Sequence, residues 1–187
     1  MRIITGKAKG IRLDTLEGEK TRPTAERVKE AVFSMLQFDI EGRRVLDLFA
    51  GSGQMALEAI SRGAREAVLV DKAREAVSII NKNVAKTKAT EQSKVFCMDY
   101  SDYIRRFGGE KFDIVFLDPP YAAGLYASAL AALLEADMLK STTLIVCESD
   151  STEIFGKNEA LQKSFAEVKV SRYSKTVITI LTPSKED

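Results

Sequence analysis

From residue 43 onward the chain alternates short apolar runs with longer amphipathic stretches, and this alternation constrains the fold more than any other feature. Runs of strand length fall at 43–48, 66–71, 93–98, 112–117 and 142–148, with helical stretches near 53–62, 73–87, 100–107 and 124–136. Strands that are apolar throughout, separated by helices, predict a parallel sheet covered on both faces. A short helix is expected near 152–162, followed by strands at 165–173 and 175–182. Their tight join at Ser174 predicts an antiparallel pair.

Two short β-like runs, 2–5 and 10–15, open the chain around Gly6-Lys7-Ala8-Lys9. A charged loop over 17–22 follows, then a helix expected to start at Thr24 as its N-cap. Val28, Ala31, Val32, Met35 and Leu36 give that helix one apolar stripe. With 187 residues, 45% of them hydrophobic, the chain suits one domain with a small appendage. Its net charge of +1 gives no strong global pull toward nucleic acid or membrane. The charge is uneven, because residues 1–30 hold eight Lys/Arg against five Asp/Glu and the remainder holds twenty against twenty-two.

Cys97 and Cys147 lie in apolar runs without Cys-x-x-Cys spacing, so they are expected as core thiols and no metal site is expected. The chain has no histidine, which removes histidine-based triads, metal sites and general bases. The amino terminus lacks an apolar core of signal-peptide length, and the longest apolar run, 129–134, is too short to span a bilayer. A soluble, cytoplasmic monomer is expected.

The chemistry is concentrated where predicted strands end. The first parallel strand runs into Asp47-Leu48-Phe49-Ala50-Gly51-Ser52-Gly53 and then a helix, a nucleotide-binding turn. Read as G-x-G-x-x-A it is also compatible with a dinucleotide site. Asp47, four residues before Gly51, favours a cationic ligand, such as a methionyl ammonium or a sulfonium, over a pyrophosphate. Asp71 ends the next strand eighteen residues after Gly53, where an acid can bond ribose hydroxyls, and Lys72 follows it. Asp99 closes the third strand beside Tyr100 and is suited to an adenine amino group. Each acid alone is more often a loop cap than a ligand. Carboxylates at three successive strand ends on one sheet edge imply S-adenosylmethionine.

The fourth strand, Ile114-Val115-Phe116-Leu117, stops at Asp118-Pro119-Pro120-Tyr121, since neither proline donates to a sheet ladder. The turn presents an acid, a stiff carbonyl and an aromatic ring together, a clamp for a flat amino-bearing group. The alternative is a plain strand-ending turn with a surface tyrosine. Lys7, Lys9 and Arg12 on the opening hairpin, with Arg22, Thr24 and Arg27 at the helix start, form a basic segment, against the plainer reading of solvated surface charge.

Together these pieces resemble the bacterial small-subunit ribosomal RNA guanine-N2 methyltransferases, the methyltransferase D family. The resemblance covers nearly the whole chain and rests on several segments: Arg2-Ile3-Ile4-Thr5-Gly6, Arg22-Pro23-Thr24 with Arg27-Val28-Lys29-Glu30, the run from Asp47 to Gly53, Glu58-Ala59 with Ser61-Arg62-Gly63-Ala64, and Asp118-Pro119-Pro120-Tyr121. Gln54-Met55-Ala56 departs from it, because similar proteins more often carry small residues and a glycine there. The strand pattern suggests, and the resemblance implies, an α/β fold of the Rossmann-like class I S-adenosylmethionine-dependent methyltransferase type. It would have a seven-stranded, mostly parallel sheet with a C-terminal antiparallel hairpin. Residues 1–40 are expected to be an RNA-facing extension, with Lys7, Lys9, Arg12, Arg22, Thr24 and Arg27 as its RNA contacts, and 41–187 the catalytic domain. The alternative for Arg22 is the cofactor pocket.

The implied reaction is methyl transfer to a guanine exocyclic nitrogen in 16S ribosomal RNA, with Asp118 and the Pro119 carbonyl accepting the amino N–H groups and Tyr121 stacking on the base. The same turn would serve a DNA adenine-N6 methyltransferase. A glutamine methyltransferase usually leads the motif with Asn. A non-catalytic RNA-binding assembly factor retaining the fold and, more distantly, a dehydrogenase are the remaining alternatives.

Overall fold

The computed structural model describes residues 1–16, 23–120 and 125–184, with the backbone alone for 23–25. In chain order the elements are α1 (Pro23–Met35), β1 (Arg44–Asp47), α2 (Gln54–Ser61), β2 (Glu66–Asp71), α3 (Arg74–Lys86), β3 (Ser93–Cys97), α4 (Tyr100–Phe107), β4 (Phe112–Leu117), α5 (Leu125–Glu135), β5 (Leu139–Ser149), α6 (Glu159–Lys163), β6 (Phe165–Tyr173) and β7 (Thr176–Pro183). All seven strands join one sheet in the order β3-β2-β1-β4-β5-β7-β6. Pairings from β3 across to β5 are parallel, and β7 runs antiparallel to both β5 and β6. The order reverses between β1 and β4, and a crevice opens at such a switch point beyond the strands' carboxyl ends.

Successive strand residues point to opposite faces, and both faces are covered. In β4, Ile114 and Phe116 join the core under α1, α2 and α3, while Val115 and Leu117 join the core under α4, α5 and α6. Val28, Val32, Phe33 and Leu36 of α1 pack into the first core, and Tyr103, Ile104, Leu130 and Leu133 into the second. Each such side chain, fully buried, contributes about 1.5–3 kcal/mol of transfer free energy. The predicted α/β architecture with its closing hairpin is therefore the observed one.

Several local expectations are corrected. Helix α1 starts at Pro23, so Thr24 lies inside its first turn instead of capping it. A proline, with its set φ and missing N–H, suits that first position. The helix expected near 152–162 shrinks to Glu159–Lys163, because Gly156 takes φ 59° and Asn158 caps the short helix, accepting the Leu161 N–H at 3.0 Å. Strand β5 begins at Leu139, earlier than expected. Cys147 is buried as predicted, but Cys97 is exposed on the edge strand β3. Among the described residues no helix is long and apolar enough to cross a membrane.

The opening runs make a single antiparallel bridge, Arg2 to Arg12, in place of a ladder. The Ile3 N–H donates to the Ile11 carbonyl at 2.9 Å, and other N–H groups turn instead toward α2. Ile4 and Thr5 donate to the Glu58 carboxylate at 2.7 and 3.0 Å, and Ala8 donates to Ser61 Oγ at 3.0 Å. Gly6, with φ 86°, passes so close to α2 that a Cβ there would sit 1.8 Å from the Ser61 carbonyl oxygen. Ile3, Ala8 and Leu13 are buried in the same core as α1 and α2, so residues 1–16 form a strap fastened to the main body.

Candidate active site

Strand ends at the switch point bring the predicted acids together. A cavity of about 550 Å³ is lined by Asp47, Asp71, Asp99 and Asp118 from the ends of β1, β2, β3 and β4. Phe49, Ala50, Gly51, Ser52, Lys72, Tyr100, Pro119 and Pro120 line it too. Its volume is in the usual range for a small-ligand pocket. Gly53 stands just behind, with φ 79°, and a Cβ there would come within 3.0 Å of Leu69 Cδ2. Only a residue without a side chain lets the loop turn this tightly against β2.

Each carboxylate is held differently. Asp47 is buried, and desolvation pushes its carboxyl up to about 7; the nearby Asp71 charge adds to this, while backbone N–H groups of Phe49 and Ala56 oppose it. Asp71 accepts the Gly51 N–H through Oδ2 and the Ala73 N–H through Oδ1, both at 2.9 Å, and so ties the glycine loop to β2. Asp99 caps α4, its Oδ1 accepting from the Ser101 N–H at 2.9 Å and the Ser101 hydroxyl at 2.8 Å. Asp71 and Asp99 thus serve as loop caps and line the cavity at once. A carboxylate offers about four acceptor sites, which leaves each of them room for a ligand's hydroxyl or amino groups. Phe49 and Tyr100 meet at 5.2 Å between ring centroids and form an aromatic wall.

Asp118 follows the last residue of β4, and β4 indeed stops before the two prolines. Tyr121 and Arg22 lie outside the described residues, as does the Thr24 side chain. Lys7, Lys9, Arg12 and Arg27 are exposed and do not line the cavity.

Other residues of the site escaped the sequence reading. Met1 and Leu16, from the two ends of the strap, line the cavity, as do Gln54, Met55, Ala73, Ala76 and Leu125. Behind them, Asn83 of α3 is fully buried and accepts the Asp14 N–H at 2.8 Å. Its amide donates to the Asp14 and Ser52 carbonyls, both at 2.9 Å, joining strap to glycine loop. A polar residue on the buried stripe of Ala76, Ile80 and Val84 was the available signal.

This strand order, closing hairpin and acid-lined crevice define a Rossmann-like methyltransferase fold. A family model described as Conserved hypothetical protein 95 matches residues 1–182. Ribosomal RNA small subunit methyltransferase D of Haemophilus influenzae is 36% identical over 152 residues, covering 80% of this chain and 79% of that protein. Its Escherichia coli counterpart is 35% identical over 150 residues, covering 80% and 75%. The solved Escherichia coli protein yhhF superposes with a TM-score of 0.85 at 28% identity, covering 100% of this chain and 99% of the other. A conserved hypothetical protein of Streptococcus pyogenes gives 0.74 at 38% identity, covering 83% and 95%. The chain belongs to this family, that of the small-subunit ribosomal RNA methyltransferase D proteins.

Proposed function

We propose that the protein transfers the methyl group of S-adenosylmethionine to the exocyclic N2 of a guanine in the 16S RNA of the small ribosomal subunit. The observation that carries this reading is the convergence of Asp118-Pro119-Pro120 with Asp47, Asp71 and Asp99 on one cavity. The names of the relatives agree with a ribosomal RNA substrate. The residues fit the methyl donor. Asp47 suits its ammonium, the loop from Gly51 to Gly53 admits its chain, Asp71 suits ribose hydroxyls, and Asp99 with Tyr100 suits adenine. When bound, the donor supplies an electrophilic methyl on a sulfonium, a good leaving group.

The protein's own task is to position and polarise the amino group. A guanine amine is a poor nucleophile because its lone pair is delocalised into the ring. Asp118 and the Pro119 carbonyl would accept its two N–H groups, favour a pyramidal nitrogen and stabilise the positive charge that develops there. With the donor supplying the methyl group, the N–C bond would form as the S–C bond breaks, and the nitrogen would shed its proton to Asp118 or water. Tyr121 would stack on the base, a contact of about 1–3 kcal/mol. A base within a helix would be flipped out first. Residues 1–40 would serve as the RNA-facing extension of the catalytic body 41–187, acting as a monomer in the cytoplasm.

The test offers tritiated S-adenosylmethionine to naked 16S RNA, assembled small subunits and duplex DNA, followed by nucleoside analysis. Label in N2-methylguanosine is expected. Label in N6-methyladenine would overturn the substrate, and donor binding without transfer would favour a non-catalytic assembly factor. Asp118→Ala should lower turnover about 10²–10³-fold, as for loss of a group that stabilises transition-state charge, with donor affinity nearly unchanged. An active D118A enzyme would remove Asp118 from the chemistry.

A further inference from the structure

Glu148 stands one strand beyond Asp118. The parallel pairing of β4 with β5 ends on Phe116 with Val146 and Leu117 with Cys147, and Asp118 and Glu148 are the residues that follow. Neighbouring strands run about 4.8 Å apart. Side chains alternate along a strand, and Val146 enters the core under α1, α2 and α3 while Cys147 enters the other. Glu148 therefore faces the α1 side, as does Ile178, its partner on β7. Phe116, two residues before Asp118, packs on that same side and lines the cavity.

The backbone of Glu148 is fixed from two directions. Its carbonyl accepts the Tyr126 hydroxyl, and its ladder with β7 continues to Ser149. The carboxylate is less committed. Glu148 is half-buried, and among the described residues no cation pairs with its carboxylate and no N–H or O–H donates to it. Its oxygens are not among the sealed unpaired atoms, so a ligand's N–H can reach them. Burial pushes its carboxyl above the ordinary value, so the ionised form gains from any donor brought to it.

We propose that Glu148 is a specificity-determining residue, accepting the N1–H of the target guanine while Asp118 and the Pro119 carbonyl hold its N2 amino group. This rests on the reading of Asp118 as a guanine clamp. A donor on Asp47, Asp71 and Asp99 takes the β1, β2 and β3 side of Asp118, which leaves the base the β5 side, where Glu148 stands. Guanine carries N1–H next to its N2 amino group on one edge, the edge by which extruded bases are read. Carboxylates on adjacent strands can reach N–H groups at neighbouring ring positions. Adenine and 2-aminopurine present a bare lone pair at N1, which a carboxylate repels. A site built to bond an N–H rejects an analogue that lacks it, because its own polar group is left unpaired. Asp118 alone would clamp any planar amine, and Glu148 restricts the choice to guanine.

The experiment uses the whole protein and assembled small subunits. Once nucleoside mapping has located the methylated guanosine, subunits are rebuilt with 2-aminopurine at that position, which keeps the 2-amino group and lacks N1–H. Wild type should show kcat/KM about 10–100-fold lower on the 2-aminopurine subunit, the worth of one hydrogen bond to a charged group. Glu148→Gln, whose amide can donate to a bare N1, should lose about tenfold on guanine and bring the two substrates within about threefold of each other. Its affinity for S-adenosylhomocysteine should be unchanged, since Glu148 does not line the donor cavity. A residue that merely packs would lower both substrates alike. Equal rates of wild type on the two subunits, or an E148Q enzyme with the wild-type ratio, would overturn the proposal. Should E148Q not fold, Glu148→Ala removes the acceptor and should narrow the ratio likewise. A wild type that puts no label in N2-methylguanosine defeats the guanine reading itself, whereas guanine methylation with an unchanged ratio isolates the failure to Glu148.

Discussion

Asp47 governs the electrostatics of the cavity. Burial raises its carboxyl from 3.8 to about 7, so the free protein keeps a proton there in mildly acidic solution. The native carboxyl holds that proton more tightly than the unfolded chain does. Its contribution to stability is therefore full below about pH 4 and is lost as pH rises through about 7. A cationic ligand prefers the ionised carboxylate, so affinity for the methyl donor should strengthen about tenfold per unit from roughly pH 5 to 7 and level off above. Calorimetric titrations across that window check it, and a flat profile would remove Asp47 from contact with the ammonium. Asp47→Asn should abolish the pH dependence and raise the free protein's melting temperature above neutral pH. The sequence showed the acid and its strand end, but not the burial on which this behaviour depends.

One buried carboxylate is among the fastenings of the strap of residues 1–16. Glu58 is fully buried, accepts from Ile4, Thr5 and the Arg62 Nε at 2.7, 3.0 and 2.8 Å, and faces Lys29 Nζ at 3.7 Å. Lys29 donates to the Arg2 carbonyl at 2.6 Å, and burial lowers its pKa against the opposing pull of Glu58. Replacing a whole buried pair by apolar residues is often neutral, but removing one partner strands the other, at a cost of about 3–5 kcal/mol. Glu58→Leu should lose about that much by urea unfolding and expose the strap to trypsin at Lys7 and Lys9. A variant with wild-type stability and an equally protected strap would show that the apolar contacts of Ile3, Ala8 and Leu13 suffice. The helices themselves were legible from their apolar spacing. The fastenings were not, because Asn83 and Asp14 are 69 residues apart and Glu58 and Ile4 are 54 apart, so no local pattern connects them.

Across the molecule, one sheet edge gathers the chemistry while the strap carries exposed cations. Lys7, Lys9 and Arg12 are exposed on the strap whose ends, Met1 and Leu16, wall the cavity. In the proposed function they would grip RNA phosphates beside the entering base. Neutralising all three should weaken binding to 16S RNA and flatten the slope of log affinity against log salt by about two to three. Filter binding over a salt series measures this, and an unchanged slope would move the RNA surface elsewhere.

The order of strands and helices, the stop after β4 and the placement of four acids at strand ends follow from local rules. Apolar runs alternate with amphipathic ones, prolines cannot extend a ladder, and glycines allow a tight turn. These features are carried by neighbouring residues, so the chain displays them directly. Other features depend on residues far apart in the chain: the burial that raises Asp47, the fastening of the strap by Glu58, Ser61 and Asn83, and the position of Glu148 one strand from Asp118. Folding brings those distant residues together, and only then does the environment set their charge and hydrogen bonding. The exposure of Cys97 has the same origin, since an apolar run does not reveal that its strand lies at the sheet's edge.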